Sequence, residues 1–283
     1  MATASVEIRP VRATDRERVG EITADVWEGH DYIARVFDEW VADPGAWFQA
    51  AEVEGELVGV QRLRPISAGI VWYEGLRVAS SHRRQGLARA MLTAAVAQAR
   101  GLGFKELRLA TANPDAIALF LSAGFALLVA PRLWRARRLE GDEPARMPGP
   151  ADADKLFRLV GEDPALAAYG GVFANGEWAL DLDAELLSRL AGEGALRVVG
   201  GGRALAAVRE GWGGDTLWAY FVSGSGGALQ ELLLALRYEA DADGMEGVNL
   251  WAPDGHPAEE DFRATGYDSE AEPFRMSYFA LRL

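Results

Sequence analysis

The stretch SHRRQGLARAMLTAAVAQA, residues 81–99, places two adjacent arginines and a lone glycine at the start of an alanine-rich helix. The apolar run GIVWYEGLRV, residues 69–78, comes before it and has the composition of a strand. A strand that passes into a helix leaves the first N–H groups of the helix without partners, with the helix dipole behind them. Glycine lets the backbone approach a ligand closely, and arginine adds positive charge. The junction therefore predicts a binding site for an anion such as a diphosphate.

Outward from this junction, strand and helix periodicities alternate through the first half of the chain. The predicted strands cover residues 6–11, a hairpin within 47–66 that turns at Gly55, and residues 70–78, 106–111 and 125–139. One predicted helix begins near Thr14, which is its expected N-cap. Three more cover residues 30–41, 86–100 and 114–124. This order predicts an α/β fold.

The length of 283 residues favours two domains. The segment EGDEPARMPGPADAD, residues 140–154, combines three prolines with mixed charge and has no hydrophobic periodicity. We expect one domain over residues 1–139, a linker over 140–150 and a second domain over 151–283.

Charge is unevenly spread, because 25 of the 42 acidic residues but only 11 of the 29 basic residues follow residue 140. An acidic surface repels phosphate backbones and anionic lipid, so nucleic acid and membranes are not expected partners. The chain has no cysteine, no apolar run of membrane-spanning length and no apolar segment near Met1 typical of a secretory signal. We expect a cytoplasmic monomer or homodimer.

The segment RRQGLA, residues 83–88, fits the pattern Q/R-x-x-G-x-G/A, and LRV, ANPDAIALF and SAGF flank it in order. Residues 5–139 thereby resemble the GNAT superfamily of acyl-CoA N-acyltransferases. The chain has neither the G-x-G-x-x-G of a dinucleotide fold nor the Gly-Lys-Ser/Thr of a Walker loop, so those readings of the loop are disfavoured. The resemblance implies two GNAT-like domains, each a mixed twisted sheet flanked by helices, with the second one degenerate.

The resemblance also implies acetyl-CoA as cofactor. The end of the central strand would pair with the pantetheine, the loop amides would hold the pyrophosphate with Arg83 nearby, and a later helix would line the thiol end. In this chain the end of the strand is Leu76, Arg77 and Val78. The loop amides are those of Arg84, Gln85, Gly86, Leu87 and Ala88. The residues near the thiol end are Asn113 and Phe120.

Transfer to an amine needs a base and a donor for the developing oxyanion. Glu74 is the candidate base, on a strand face that we expect it to share with Trp72, Leu76 and Val78. It is equally consistent with a salt-bridge partner for Arg77 or Arg83, or with a residue that positions substrate. The N–H of Val78 is the expected oxyanion donor.

Many relatives carry a tyrosine that protonates the leaving thiolate where this chain has Phe120. Phenylalanine cannot donate a proton. Water, Tyr73 or another residue would then supply it, or the thiolate leaves unassisted, or the domain binds acyl-CoA without turnover.

The variable segment WEGHDYIARVFDEW, residues 27–40, supplies candidate acceptor-binding residues, with the central strand adding one more. These candidates are His30, Asp31, Tyr32, Asp38, Trp40 and Trp72. Parts of the segment look similar to the GNAT subgroup that includes histidine N-acetyltransferase. We expect N-acetylation of a primary amine on a small molecule, an amino acid being one candidate. The alternatives are a protein N-terminus as acceptor or a non-catalytic acyl-CoA sensor. The three histidines have no metal-ligand spacing, so no metal is expected.

The second half repeats features of the first. FRATGY, residues 262–267, matches FLSAGF, residues 120–125, and SGSGGA, residues 223–228, precedes a helix as the arginine loop does. Ser223 stands where the first loop has Arg83. We expect a second loop with lower affinity for a diphosphate, and the alternative is an enzyme with two cofactor sites.

Overall fold

A computed structural model describes residues 6–210, 214–269 and 275–283. Its strands are β1 (Glu7–Pro10), β2 (Trp47–Val53), β3 (Glu56–Pro65), β4 (Ile70–Val78), β5 (Glu106–Thr111), β6 (Ala126–Val129), β7 (Pro131–Arg137), β8 (Val172–Ala174), β9 (Ala179–Asp181), β10 (Leu196–Val199), β11 (Ala204–Glu210), β12 (Thr216–Ser223), β13 (Gly247–Pro253) and β14 (Ser277–Arg282). Its α-helices are α1 (Arg16–Thr23), α2 (Ile33–Ala42), α3 (Leu87–Gly101), α4 (Pro114–Ser122), α5 (Ala153–Gly161), α6 (Pro164–Ala168), α7 (Ala184–Gly192), α8 (Gly226–Ala242) and α9 (Glu259–Ala264).

The chain divides into two compact units. The first comprises Met1–Ala110, Asp115–Ala126 and Ala280–Leu283, and the second comprises Thr111–Pro114 and Leu127–Phe279. The α/β class is confirmed, since each unit carries a mixed sheet flanked by helices. The linker over 140–150 stays a prediction.

In the first unit, β1 to β5 are neighbours in sequence order, antiparallel except for the parallel pair β4 and β5. Helices α1 and α2 bury an apolar cluster that includes Val19, Phe37 and Trp40. Helix α3 buries its own apolar face against the sheet. A Cβ at Gly59 of β3 would lie 2.7 Å from the backbone carbonyl oxygen of Arg77 on β4 and 2.9 Å from the Sδ of Met91 on α3. The close approach of this backbone therefore requires glycine at position 59.

A β-bulge interrupts β4. Arg62 lies opposite Glu74 and Val60 lies opposite Arg77, so two residues of β4 face the single residue between Val60 and Arg62. The first of the two, Gly75, has a φ of +68°, a conformation that favours glycine.

The bulge shifts the alternation of side chains along β4. Because cross-strand partners share a face, Glu74 and Arg77 lie on one face with Trp72. The expectation that Leu76 and Val78 share the face of Glu74 is wrong, since regular alternation holds only in a strand without an extra residue.

β4 and β5 separate partway along their length. Over the described residues of these two strands, pairing runs from Ile70 and Glu106 to Trp72 and Arg108, while β4 continues to Val78. The second half of β4 therefore has an open edge on the β5 side.

In the second unit the strand order is β10-β11-β12-β13-β7, and β8 and β9 form a separate pair. The single strand predicted over residues 125–139 is instead two strands, β6 and β7, and β7 pairs antiparallel with β13. Hydrophobic periodicity gives no information on which sheet a strand joins, so the break at Ala130 was not predictable from it.

Candidate functional site

The backbone between β4 and α3 turns sharply at two alternate residues. Arg84 has a φ of +60° and Gly86 a φ of +85°. Such turns can direct successive N–H groups toward one point and so form an anion-binding concavity. A Cβ built on Gly86 meets no atom within 4 Å, so this side of the loop is open.

The first turn of α3 adds donors to the same concavity. Gly86 is the N-cap, and its carbonyl accepts the N–H of Ala90 at 3.0 Å. The N–H groups of Leu87, Ala88 and Arg89 therefore have no intrahelical acceptor. They stand beside a cleft of about 260 Å³ between the end of β4, the loop, α3 and α4, lined by residues that include Arg84, Gly86, Ala88 and Leu119.

The two loop arginines differ in their surroundings. The Nε of Arg83 donates to the carbonyl of Val78 at 3.0 Å, and its two terminal nitrogens donate to Asp25, each at 2.7 Å. This guanidinium holds the pKa of Asp25 below its ordinary value. Within the described part of the chain, Arg84 has no ion-pair partner and is exposed. Arg83 thus ties the loop to the protein, while the charge of Arg84 faces the solvent.

Gln85 and Arg89 stabilise the two ends of this turn. Gln85 donates to the carbonyl of Ser81 at 3.0 Å, and Arg89 donates to the hydroxyl of Ser122 on α4 at 2.7 Å. Leu87 is buried and anchors α3. These contacts fix the loop without using the donors that face the cleft.

Val78 presents its backbone to the open edge of β4. The N–H of Ala79 donates to Val58 of β3 at 2.8 Å. Because N–H directions alternate along a strand, the N–H of Val78 points away from β3 and toward the space that β5 leaves. Leu76 and Arg77 lie in the same half of β4, in which the edge facing β5 has no pairing with that strand.

The aromatic residue of α4 packs in the core of the first unit, and its place beside the cofactor stays a prediction. Phe120 is buried, 6.2 Å from the ring of Tyr73 and 5.4 Å from that of Phe125. The Tyr73 hydroxyl donates to the Oε1 of Gln61 at 2.9 Å, and burial raises the pKa of Tyr73. Asn113 is exposed, and its N–H donates to the Thr111 hydroxyl at 3.1 Å.

Glu74 is held by arginines other than the two expected. Its Oε1 accepts the NH1 of Arg62 at 2.5 Å and the Nε of Arg64 at 3.3 Å. Its Oε2 has no hydrogen-bond partner among the described residues. Arg62 is itself buried and donates to Asp43 as well, at 2.5 Å. Glu74 therefore presents one oxygen to the protein and leaves the other open.

The acceptor candidates from α2 and its approach pack over this ion-pair network. The Trp40 ring lies 4.7 Å from the guanidinium carbon of Arg62, and the Tyr32 ring lies 5.7 Å from that of Arg77. Tyr32 and Trp40 contact each other edge to face at 5.7 Å. Burial raises the pKa of Tyr32 to about 12. We call Tyr32, Trp40 and the arginines beneath them the aromatic wall.

The remaining acceptor candidates are placed differently. Asp31 is buried, accepts Arg77 Nε at 2.5 Å and accepts the N–H of Ile33, the first residue of α2, at 2.9 Å. An acceptor ammonium would have to displace Arg77 to reach it, so Asp31 is no longer expected to contact substrate. His30 is exposed, and Asp38 pairs with Arg16 at the surface. Trp72 is buried on the face of Glu74.

Sequence reasoning missed Asp25, Asp43, Arg62 and Arg64. The only signal was the alternation in QRLR, residues 61–64, which puts both arginines on one strand face. That this face meets Glu74 depends on the register of β3 on β4, which the turn between the two strands sets.

Among the described residues, no group of three or more His, Asp or Glu residues is placed to hold a metal ion. None of the helices described is long and apolar enough to cross a membrane.

Comparisons with known proteins agree with this geometry. Residues 14–125 match the model of the Acetyltransferase (GNAT) family. The chain is 32% identical over 143 residues to the aminoglycoside N(6')-acetyltransferase type 1 of Klebsiella aerogenes. The matched region covers 45% of this chain and 94% of that protein.

Two solved structures are similar over nearly the whole chain. A tandem GNAT protein from the clavulanic acid biosynthesis pathway has a TM-score of 0.54 at 16% identity and covers 98% of both chains. A GCN5-related N-acetyltransferase from Sphaerobacter thermophilus has a TM-score of 0.56 at 14% identity and covers 98% of this chain and 95% of its own. At these identities they show the fold, two GNAT-like domains in one chain. With the family model and the enzyme relative, they lead to one conclusion: the chain belongs to the GNAT family of acetyltransferases.

Proposed function

We propose that the first unit transfers the acetyl group of acetyl-CoA to a primary amine of a small molecule by direct attack. One observation carries the proposal. The unpaired N–H groups at the start of α3 and the open half of β4 lie on the same cleft. An extended ligand with a diphosphate at one end and amides at the other matches that arrangement.

The residues present fit acetyl-CoA. The N–H groups from Arg84 to Ala88 would hold the pyrophosphate, with the exposed Arg84 guanidinium beside it. Leu76, Arg77 and Val78 would pair with the pantetheine amides along the open edge of β4. Phe120 would pack near the thiol end. The role of Asn113 stays an expectation from the sequence.

Acetyl-CoA supplies the thioester carbonyl that the amine attacks. The Oε2 of Glu74 is the acceptor for the proton that the ammonium must lose, since its other oxygen is held by Arg62 and Arg64. The N–H of Val78, pointing into the gap beside β4, donates to the oxygen on which negative charge develops. Both groups lie on one strand, so the bulge between them sets their relative position.

No tyrosine of α4 protonates the departing thiolate, because Phe120 stands there. Tyr73 is nearby but directs its hydroxyl to Gln61 within the core. We propose that water supplies this proton.

Two observations support a small-molecule amine as the acceptor: the aromatic wall and the 32% identical relative. Tyr32, Trp40 and the open oxygen of Glu74 offer ring faces and one anionic group, which suit an amine on a compact polar body. The relative of 32% identity is named as an aminoglycoside acetyltransferase, an enzyme of small-molecule amines. Amino acids remain candidates on the same ground, and no contact described here favours a protein N-terminus.

The test is a thiol-release assay with acetyl-CoA and a panel of amines: aminoglycosides, amino acids, polyamines and a short peptide with a free N-terminus. We expect CoA release with at least one small amine. Release only with the peptide would replace the acceptor class. Tight acetyl-CoA binding without release from any amine would favour the sensor.

A further inference from the structure

The second unit has its own junction between a central strand and a long helix, the second junction, residues 223–228. In it β12 ends at Ser223 and α8 begins at Gly226, whereas residues 79–86 separate β4 from α3. Among the described residues, Arg203 is the one arginine that lines the cavity beside this junction. The turns nevertheless repeat, since Gly224 has a φ of +117° and Gly226 a φ of +58°. The same spacing of positive φ occurs in the first loop.

A carboxylate of the chain occupies the first turn of the second junction. The Oδ2 of Asp163 accepts the N–H of Gly224 at 2.5 Å and the hydroxyl of Ser223 at 2.9 Å. Its Oδ1 accepts the N–H of Ala165 at 2.8 Å and so caps α6. Asp163 is therefore fixed on both oxygens.

A second carboxylate occupies the next turn. The Oδ2 of Asp261 accepts the N–H of Gly226 at 2.9 Å, and its Oδ1 accepts Gln230 at 2.7 Å. Asp261 directly precedes Phe262 in FRATGY, as Leu119 precedes Phe120 in FLSAGF. Leu119 lines the first-unit cleft, so an apolar residue there corresponds to a carboxylate here.

The surrounding charge has also changed sign. The cavity beside the second junction, about 630 Å³, is lined by Asp163, Glu231 and Arg203 among its residues. The first-unit cleft is lined by Arg83, Arg84 and Arg89 against Asp115. A phosphate entering the larger cavity would meet two carboxylates and find the N–H groups of Gly224 and Gly226 already bonded.

We propose that Asp163 and Asp261 take the places of phosphate oxygens and close the second junction to anionic cofactors, so that the chain binds one acetyl-CoA, in the first unit. The count of one rests on the proposed function. The closure of the second junction does not, because it follows from contacts within the second unit alone.

The test titrates the full chain with CoA and, separately, with inorganic pyrophosphate, and follows backbone amide signals by NMR. We expect the amides of Gly86 to Arg89 to shift with CoA and those of Gly224 and Gly226 to shift with neither ligand. Saturable shifts at Gly224 or Gly226 would overturn the closure. Absence of shifts at Gly86 to Arg89 would overturn the proposed function, and the second-junction signals would still decide the closure.

Two variants test the cause. Asp261→Ala removes the acceptor of the Gly226 N–H, and we expect that amide to respond to pyrophosphate. Glu231→Gln is the matched control, because it removes a cavity charge from a residue that does not bond the turn. A response in the control but not in Asp261→Ala would show that charge alone excludes the anion, and would overturn the stand-in role.

The reciprocal variant is Leu119→Asp, which puts a carboxylate at the matching place in the first unit. We expect at least a tenfold loss of CoA affinity, measured by calorimetry, with the thermal midpoint used to verify folding. Unchanged affinity would contradict the correspondence between Leu119 and Asp261.

Discussion

Glu74 shows what a single residue can and cannot reveal from sequence. The sequence predicts that this carboxylate lies on the central strand, but it does not predict its partners. Arg62 and Arg64 contact Glu74 only because of the register in which β3 pairs with β4. The structure pairs one of its oxygens with Arg62 and Arg64 rather than with Arg77 or Arg83, and the role of Glu74 as base stays a prediction.

Glu74→Gln tests its role as base. We expect kcat/KM to fall by about 10²-fold or more, because the amide cannot take the proton from the acceptor. Asp43→Asn is the control, since Asp43 also pairs with Arg62. Equal losses in the two variants would assign the effect to the disturbed arginine rather than to the missing base.

His256 gives a pH dependence at the residue scale. It is buried, and desolvation lowers its pKa below the ordinary value. As pH falls through about 6.5, the unfolded chain takes up this proton before the folded chain does, so stability declines. His256→Asn keeps an acceptor for the N–H of Ala258. We expect urea unfolding of the variant to lose less stability between pH 7 and pH 5 than the wild type, and an identical slope would contradict this.

At the scale of elements, the bulge of β4 is the feature that regular periodicity concealed. A glycine within a strand was a signal for it, yet a count of alternate residues passes over Gly75 and places Leu76 and Val78 on the wrong face. The strand-to-helix loop, by contrast, was readable from sequence because its glycine and its arginines are local features. The partner that ties it down, Asp25, lies 58 residues from Arg83 and had no local signal.

Gly75→Ala tests the bulge. A Cβ there would lie 2.9 Å from Trp40, and the φ of +68° adds about 1–2 kcal/mol of strain. We expect loss of both stability and activity. Gly55→Ala is matched to it, with a φ of +82° and no atom within 4 Å of the new Cβ. It should carry the strain but leave kcat/KM unchanged. If both variants lost activity equally, the contact with Trp40 would be irrelevant.

Asp25→Asn tests how Arg83 acts. If Arg83 holds the loop in place, the variant loosens the loop, and the KM for acetyl-CoA should rise about two- to fivefold, as the loss of an exposed ion pair allows. If Arg83 instead binds the phosphates directly, removing its competitor Asp25 should lower that KM.

Arg84→Ala, which breaks no ion pair among the described residues, should raise the KM for acetyl-CoA without lowering the thermal midpoint.

For the whole molecule, the two-domain fold was predictable because the motif order of the first half recurs in the second. The assignment of strands to sheets was not, since β7 pairs with β13 and the last residues of the chain belong to the first unit. Such pairings join residues more than a hundred positions apart, and local patterns carry no information about them.

Removing residues 280–283 tests that assignment. The Leu283 N–H donates to the backbone carbonyl of Lys105 at 2.9 Å within the first unit. We expect the truncated chain to bind acetyl-CoA more weakly and to show faster hydrogen exchange in β4 and β5, with β11 and β12 unchanged. Uniform acceleration in both units would mean that the deletion acts on the chain as a whole.

The same C-terminal residues set an order of events during synthesis. The ribosome adds residues 280–283 only after residues 127–279 of the second unit, although the rest of the first unit is made earlier. Domains usually fold as they emerge, but β14 lies between β5 and β6 in the sheet of the first unit, so that sheet stays incomplete until the second unit has been made. Synthesis interrupted just before residue 280 would therefore deliver the entire cofactor loop in a first unit that still lacks one of its strands.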